Sequence, residues 1–187
     1  MILYQQEAKE ILEALLLCSG EPLTLNALSD ITGYDATDIL EVLDSLQQDY
    51  LAQSRGFMIC EIAGGWMFST YPKHAPYIEK LLKPRVTALS QASLEVLSII
   101  AYRQPVTRGE MEDIRGVNCD SSVNTLLDRG LIREAGRKEE PGRPIMFATT
   151  TDFLKYFGLT SLRDLPELPD TTVETSEGFG TENAETA

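Results

Sequence analysis

Few residues of this chain have the types and spacing to do covalent chemistry. The one histidine, His74, sits in the polar stretch YPKHAP, and the three cysteines, Cys18, Cys60 and Cys119, are isolated. A Ser-His-Asp or Cys-His arrangement would have to use His74, whose surroundings suit a solvated loop residue. With no C-x-x-C pair and no second histidine, neither a structural zinc site nor a disulfide framework is expected. Glu112 and Asp113 are neighbours in a helical stretch, so their carboxylates diverge instead of converging for acid–base work. Glu139 and Glu140 fall in a turn, and no G-x-x-x-x-G-K-[ST] phosphate loop is present. The sequence therefore predicts no catalytic constellation, no metal and no cofactor, and argues against an enzyme.

A different chemistry is written in AYRQPVTRGEMEDIRGVN (101–118). A helix ends near Arg103, a Gln-Pro corner follows, and a short helix runs from Thr107 to Gly116. That is the first half of a helix-turn-helix, the usual frame of a DNA reader. The charge opposes it. The 187 residues carry a formal net charge of −13. Residues 1–83 hold 5 Lys/Arg against 12 Asp/Glu, residues 84–158 hold 10 of each, and residues 159–187 hold 1 against 7. No segment is net basic, whereas affinity for a duplex comes from Lys and Arg displacing counterions.

The elements that position these residues come from an internal repeat. Shifted by 83 residues, GEPLTLNALSDITG (20–33) lies over RQPVTRGEMEDIRG (103–116) without gaps. Pro22, Thr24, Asp30, Ile31 and Gly33 meet Pro105, Thr107, Asp113, Ile114 and Gly116. Upstream, Ile11, Leu16 and Leu17 meet Leu94, Ile99 and Ile100, and downstream Leu43 meets Leu126. Each half therefore reads alike. A first helix, 7–18 or 91–102 after an N-cap at Ser90, is expected to be buried on most of its surface. A second helix starts at Thr24 or Thr107, the latter with Glu110 in a capping box. It stops at Gly33 or Gly116, where glycine tolerates the left-handed C-cap. A third starts at an Asx cap, Asp35 or Asn118. It buries Ile39, Val42, Leu43, Leu46 and Tyr50, or Val123, Leu126 and Leu127.

Strand signals close each half. GFMICEIAGGWMFSTYP (56–72) is a hairpin around Ala-Gly-Gly, and LIREAGRK and RPIMFATT flank the turn EEPG (139–142). Three helices plus a hairpin is the winged-helix variant of helix-turn-helix. The fold class is thus α+β, mainly α: two tandem winged-helix domains and a disordered acidic C-terminal tail. The expected boundaries are 1–83, 84–165 and 166–187. A short helix from about Pro76 to Lys83, with Pro84, joins the two domains, and a last helix runs from about Asp152 to Phe157. The tail has no Lys or Arg and little to bury. No apolar run approaches the ~18 residues that span a bilayer, and Ile11 to Cys18 follows Glu7 and Glu10 instead of basic residues, so a cytoplasmic protein is expected.

The third helices fit DNA poorly. DATDILEVLDSLQQDY carries Asp35, Asp38, Glu41, Asp44 and Asp49 and no basic residue; NCDSSVNTLLDRG carries Asp120 and Asp128 and reaches an arginine only at Arg129. Asn118 and Asn124 have the chemistry to read adenine, but the phosphate anchors that position a reader are missing. The arginines lie elsewhere: Arg103, Arg108 and Arg115 around the corner and second helix, and Arg137 and Arg143 with Lys138 on the wing. They suit either a solvated surface or a docking face for an acidic or amphipathic partner.

The run from Leu89 to Pro166 resembles ScpB, the bacterial segregation and condensation protein B family. IIAYRQPVTRGE, IRGVN, LLDRGLI, GRKEEPGRP and TTTDFLKYFGL carry the resemblance in order and spacing, and ILEALLLCSGEPL to GGWMFSTYP extends it to about 7–168. Cys119, and Phe147-Ala148 in the last wing strand, depart from the pattern as packing variations. The resemblance implies a non-catalytic subunit of a condensin-like complex that supports chromosome condensation and partition in cell division. It implies a homodimer formed mainly through the first domain, and binding to the kleisin ScpA, which bridges an SMC ATPase. It also implies a nucleoid-associated place in the cytoplasm, with DNA contacted weakly or indirectly and no membrane. On that basis the kleisin-facing candidates are Tyr102, Arg103, Gln104, Pro105, Arg108, Arg115, Val117, Arg137, Arg143 and Pro144. Trp66, Met67 and Phe68 are the dimer candidates. The alternative is a winged-helix DNA-binding transcription regulator.

Overall fold

Ala8, Leu12 and Leu16 recur every four residues, which puts them on one face of a helix. In the computed structural model, which describes residues 2–83 and 88–168, all three are buried on α1 (Ile2–Ser19). The expectation that this helix would be buried on most of its surface is corrected: Leu17 is 75% exposed and Cys18 is exposed. The rest of the half lies on only one side of α1, so the Leu-Leu-Leu run is shared between core and surface.

The Thr24 hydroxyl accepts the Ala27 N–H at the start of α2 (Leu25–Thr32), and Gly33, at φ 73°, closes it. α3 (Ala36–Ala52) buries Ile39, Val42, Leu43, Leu46 and Tyr50 as its periodicity dictates. Asp35 precedes it with extended backbone but makes no side-chain cap, contrary to expectation. β1 (Phe57–Ile62) and β2 (Gly65–Thr70) pair antiparallel, with Ile59 opposite Phe68. Trp66 also exchanges two backbone hydrogen bonds, of 2.9 and 2.8 Å, with Leu23 in the corner between α1 and α2. That corner thus acts as a one-residue third strand. The close pass explains Gly65: a Cβ there would lie 2.9 Å from the carbonyl carbons of both Pro22 and Leu23. Backbone cannot yield as a side chain can, so Gly65→Ala is expected to destabilise the first half by about 1–3 kcal/mol. Urea titration followed by Trp66 fluorescence would measure this.

The second half repeats the plan. The Ser90 hydroxyl accepts the Ser93 N–H and caps α5 (Gln91–Arg103). β3 (Val106–Thr107) fills the corner, and α6 (Arg108–Arg115) opens with the full Thr107–Glu110 capping box and ends at Gly116, φ 70°. α7 (Asp120–Asp128) starts one residue later than an Asn118 cap would give, with Cys119 in the cap position. Asn118 does cap the chain there, but through an Asx turn: its Oδ1 accepts the Asp120 N–H at 2.9 Å. β4 (Ile132–Arg137) and β5 (Ile145–Thr149) form the wing, and α8 (Thr151–Phe157) closes the half. The sheet order is β3-β5-β4. Val106 pairs with Phe147 as Leu23 pairs with Trp66. Leu23 and Val106 are equivalent under the 83-residue shift, so the repeat in sequence is a repeat in structure.

Each half has its own core. One gathers Leu12, Leu28, Leu43 and Ile59 with their neighbours, the other Ile100, Met111, Leu126 and Phe147. Between the halves, α4 (Ala75–Leu82) follows a 3-10 turn at Pro72–His74. The halves also touch directly. The Ala63 N–H in the hairpin turn donates to the Leu159 carbonyl (2.9 Å), the Thr160 hydroxyl to the Glu61 carbonyl (3.1 Å), and Lys155 pairs with Glu21 (2.7 Å). Pro84 and residues 169–187, most of the tail expected to be disordered, lie outside the described residues.

Candidate partner-binding surface

The faces that would meet bases in a DNA reader are acidic. Asp35, Asp38, Glu41 and Asp44 are exposed on and before α3, and Asp120, Asn124 and Asp128 on α7. The two asparagines with base-reading chemistry are engaged locally. Asn118 bonds Asp120 in both directions, and the Asn124 Oδ1 accepts from Arg108 at 3.3 Å.

The ten kleisin-facing candidates separate into three groups. At the corner, Arg103 and Pro105 are exposed, and the Tyr102 hydroxyl donates to the Pro166 carbonyl at 2.6 Å. Gln104 turns inward. Its Oε1 accepts the Thr149 N–H (2.7 Å) and hydroxyl (3.0 Å), fastening α5 to the end of β5. The second group lies at the start of α6 and on the wing. Arg108 is held by Asp120 and Asn124, with its guanidinium 5.6 Å from the centre of the Phe147 ring. Arg137 donates to the Arg143 carbonyl across the wing turn at 3.0 Å, and both arginines are exposed beside half-buried Pro144. The third group lies at the far end of α6. Arg115 is nearly covered and bonds Glu95 (2.9 Å) and the Cys119 sulfur (3.6 Å), while Val117 is 54% exposed. Arg103, Pro105, Val117, Arg137 and Arg143 therefore face outward, whereas Gln104, Arg108 and Arg115 also brace the fold.

Of the dimer candidates, Trp66 and Phe68 pack against the first-half core, and the Met67 carbonyl accepts a long bond from the Cys60 thiol (3.7 Å). His74 ends the 3-10 turn, half-buried beside the Tyr71 ring. Among the described residues no group of three or more His, Cys, Asp or Glu is placed to hold a metal ion, and no helix is long and apolar enough to cross a membrane.

Two bracing residues escaped the sequence reading. The Glu112 carboxylate accepts the Cys119 N–H at 3.0 Å and fixes the turn between α6 and α7. Seven residues separate them, and no local motif marks the pair. Lys138 reaches from the wing to Glu110 (2.8 Å) and Glu140 (2.7 Å). The capping box pointed to Glu110, but nothing in the sequence pointed to its partner 28 residues on. Lys138, together with the Thr107 N–H and hydroxyl, holds the Glu110 carboxyl down from 4.5 to about 2. A carboxyl whose pKa is lower folded than unfolded stabilises the fold above its unfolded value. It loses that contribution as pH falls through the folded one. The Glu110 share of stability is thus expected to fade between about pH 4.5 and about pH 2. Melting temperatures across that window should fall less steeply in Glu110→Gln than in the unaltered chain.

The architecture and the surface together define a class: a tandem winged-helix protein whose reading helices are acidic and whose outward arginines and apolar side chains suit a protein partner. Comparison with known proteins agrees. The family model for segregation and condensation complex subunit ScpB matches residues 10–168. Segregation and condensation protein B of Symbiobacterium thermophilum is 52% identical over 169 residues, 90% of this chain and 76% of that protein. The protein of the same name from Desulforamulus reducens is 48% identical over 92% of this chain and 96% of its own. A solved dimer of a ScpB N-terminal domain complexed with ScpA peptide is 33% identical, covering 42% of this chain and 98% of that one, with a TM-score of 0.40. The chain belongs to the ScpB family, the non-catalytic subunits of the segregation and condensation complex.

Proposed function

We propose that the chain is a dimeric adaptor of a condensin-like SMC–kleisin complex. It binds the kleisin ScpA and through it serves the SMC ATPase in chromosome condensation and partition. It works in the cytoplasm, on the nucleoid. The division of labour follows the two halves: residues 1–83 dimerise and residues 84–165 dock the kleisin. One observation carries the docking assignment. The second half presents the outward arginines Arg103, Arg137 and Arg143 together with the exposed apolar side chains of Pro105, Ile114 and Val117. The helices that would otherwise read DNA present carboxylates. An acidic, amphipathic kleisin segment complements such a surface, because arginine pairs with carboxylates while its stem packs on apolar groups.

Light scattering after size-exclusion chromatography tests this on the full chain, alone and mixed with its kleisin. A dimer that moves to a heavier, stable complex is expected. A chain that ignores the kleisin would overturn the adaptor assignment.

A further inference from the structure

An open groove of about 520 Å³ lies where the end of α5, the wing and α8 meet, lined by Gln104, Arg133, Thr151, Leu154 and Leu162. Leu154 and Leu162 supply apolar surface and Arg133 a cation. One carboxylate, Asp152, also lines it.

The charges around this groove are committed unequally. Asp152 is bound by Lys155 (2.6 Å), which Glu21 of the first half also meets (2.7 Å). Asp164 accepts the Ser161 N–H at 2.8 Å. The arginines are exposed and unspent. Among the described residues Arg103, Arg133 and Arg163 form no ion pair, and Arg133 reaches only the Glu134 carbonyl at 3.5 Å. Arg103 stands one residue before Gln104, and Arg163 one residue after Leu162.

The described part of the chain ends at the same place. Leu162 is on the groove wall, Leu165 packs against the second core, and the Pro166 carbonyl accepts the Tyr102 hydroxyl, two residues from Gln104. Residues 167–187 follow, with six Asp/Glu and no Lys or Arg, and with Leu168, Val173 and Phe179 as spaced apolar side chains. Carboxylates around isolated apolar anchors are the chemistry that the docking face selects in a kleisin segment. The chain thus carries, next to that face, a segment of the same chemistry. Other faces oppose it: residues 1–83 are net acidic, and α3 and α7 expose carboxylates. Phe179 lies eleven residues beyond Leu168, which spans up to ~36 Å when extended, so a return to the groove is within reach.

We propose that residues 169–187 fold back onto this groove, carboxylates on Arg103, Arg133 and Arg163 and Phe179 against Leu154 and Leu162, and so compete in cis with the kleisin for the corner. A tether at Pro166 gives the tail a high effective concentration, so a contact too weak to hold between free molecules holds here. The tail closes the corner until a kleisin segment displaces it. This rests on the docking role assigned to the second half and adds its regulation.

The test uses two full-length variants. One neutralises the tail: Glu174→Gln, Glu177→Gln, Glu182→Gln and Glu185→Gln with Phe179→Ser. The other is Arg133→Glu, on the groove wall but outside the ten kleisin candidates. Titration calorimetry with the kleisin is expected to read an affinity about tenfold higher for each, the factor for a tail closed in about nine chains of ten. The two combined should gain nothing further, because both release one contact. A glutamate-specific protease should cut the tail more slowly in the unaltered chain than in Arg133→Glu. Should Arg133→Glu lower the melting temperature, Arg133→Gln makes the same comparisons. Equal cutting rates would overturn the docked tail. Weaker kleisin binding in Arg133→Glu would give the groove to the kleisin and overturn the proposal, and so would kleisin affinity that ignores both variants. If no variant binds the kleisin, the adaptor assignment falls and the competition with it, while the protease comparison still decides whether the tail docks.

Discussion

Phe147→Ala is expected to cost the second half about 3–5 kcal/mol, the range for a buried phenylalanine whose site cannot fully collapse. Phe147 is 1% exposed at the centre of the three-stranded sheet, paired to Val106 on one side and Glu134 on the other. Its ring packs into the core and lies under the Arg108 guanidinium. Its counterpart in the first half, Trp66, occupies the same pairing but is only half-buried. The loss should stay within one half, because the two cores share no residue. The one tryptophan of the chain belongs to the first half. In Phe147→Ala, circular dichroism should show an early loss of part of the helix signal while Trp66 fluorescence melts where it did before. Both signals moving together would mean that the contacts of Leu159, Thr160 and Lys155 with the first half bind the halves into one cooperative unit.

The second large effect falls on partner binding. Arg103→Glu combined with Val117→Glu is expected to weaken kleisin binding about a hundredfold or more, since reversing a charge and charging an apolar anchor both oppose an acidic, amphipathic partner. The melting temperature should hold, because both side chains face outward. Arg108→Glu is the poorer probe despite its place in the same motif. It would set a carboxylate against Asp120 and remove the cation above Phe147, so lost binding would be confounded with lost stability. Titration calorimetry with the kleisin reads the effect, and undiminished affinity would remove the corner and Val117 from the docking surface.

Much of this was legible in the sequence, for identifiable reasons. Thr24, Thr107, Gly33 and Gly116 act within four residues of themselves, so local pattern suffices to place two helices in each half. The burial of α3 follows from spacing alone. What escaped was set by distant neighbours. Leu15, Leu16 and Leu17 read alike, yet only the position of α3 and the hairpin decides that Leu16 is buried and Leu17 is exposed. Gln104 and Arg115 look like surface polar residues until β5 and α5 supply Thr149 and Glu95. Asp35 and Asn118 are equivalent in the repeat, but only Asn118 folds back onto the chain, and the helix after it starts late. The candidate surface was legible as a set of outward arginines; which of them are committed to the fold was not.

The central claim is that a fold built for reading DNA here docks a protein. It is tested most directly by fluorescence anisotropy of two labelled ligands under one low-salt condition: a segment of the kleisin and a short duplex. The account predicts saturable binding of the kleisin segment and none of the duplex. Tight duplex binding that weakens with salt, with a log–log slope near −0.9 for each phosphate neutralised, and no response to the kleisin would contradict it.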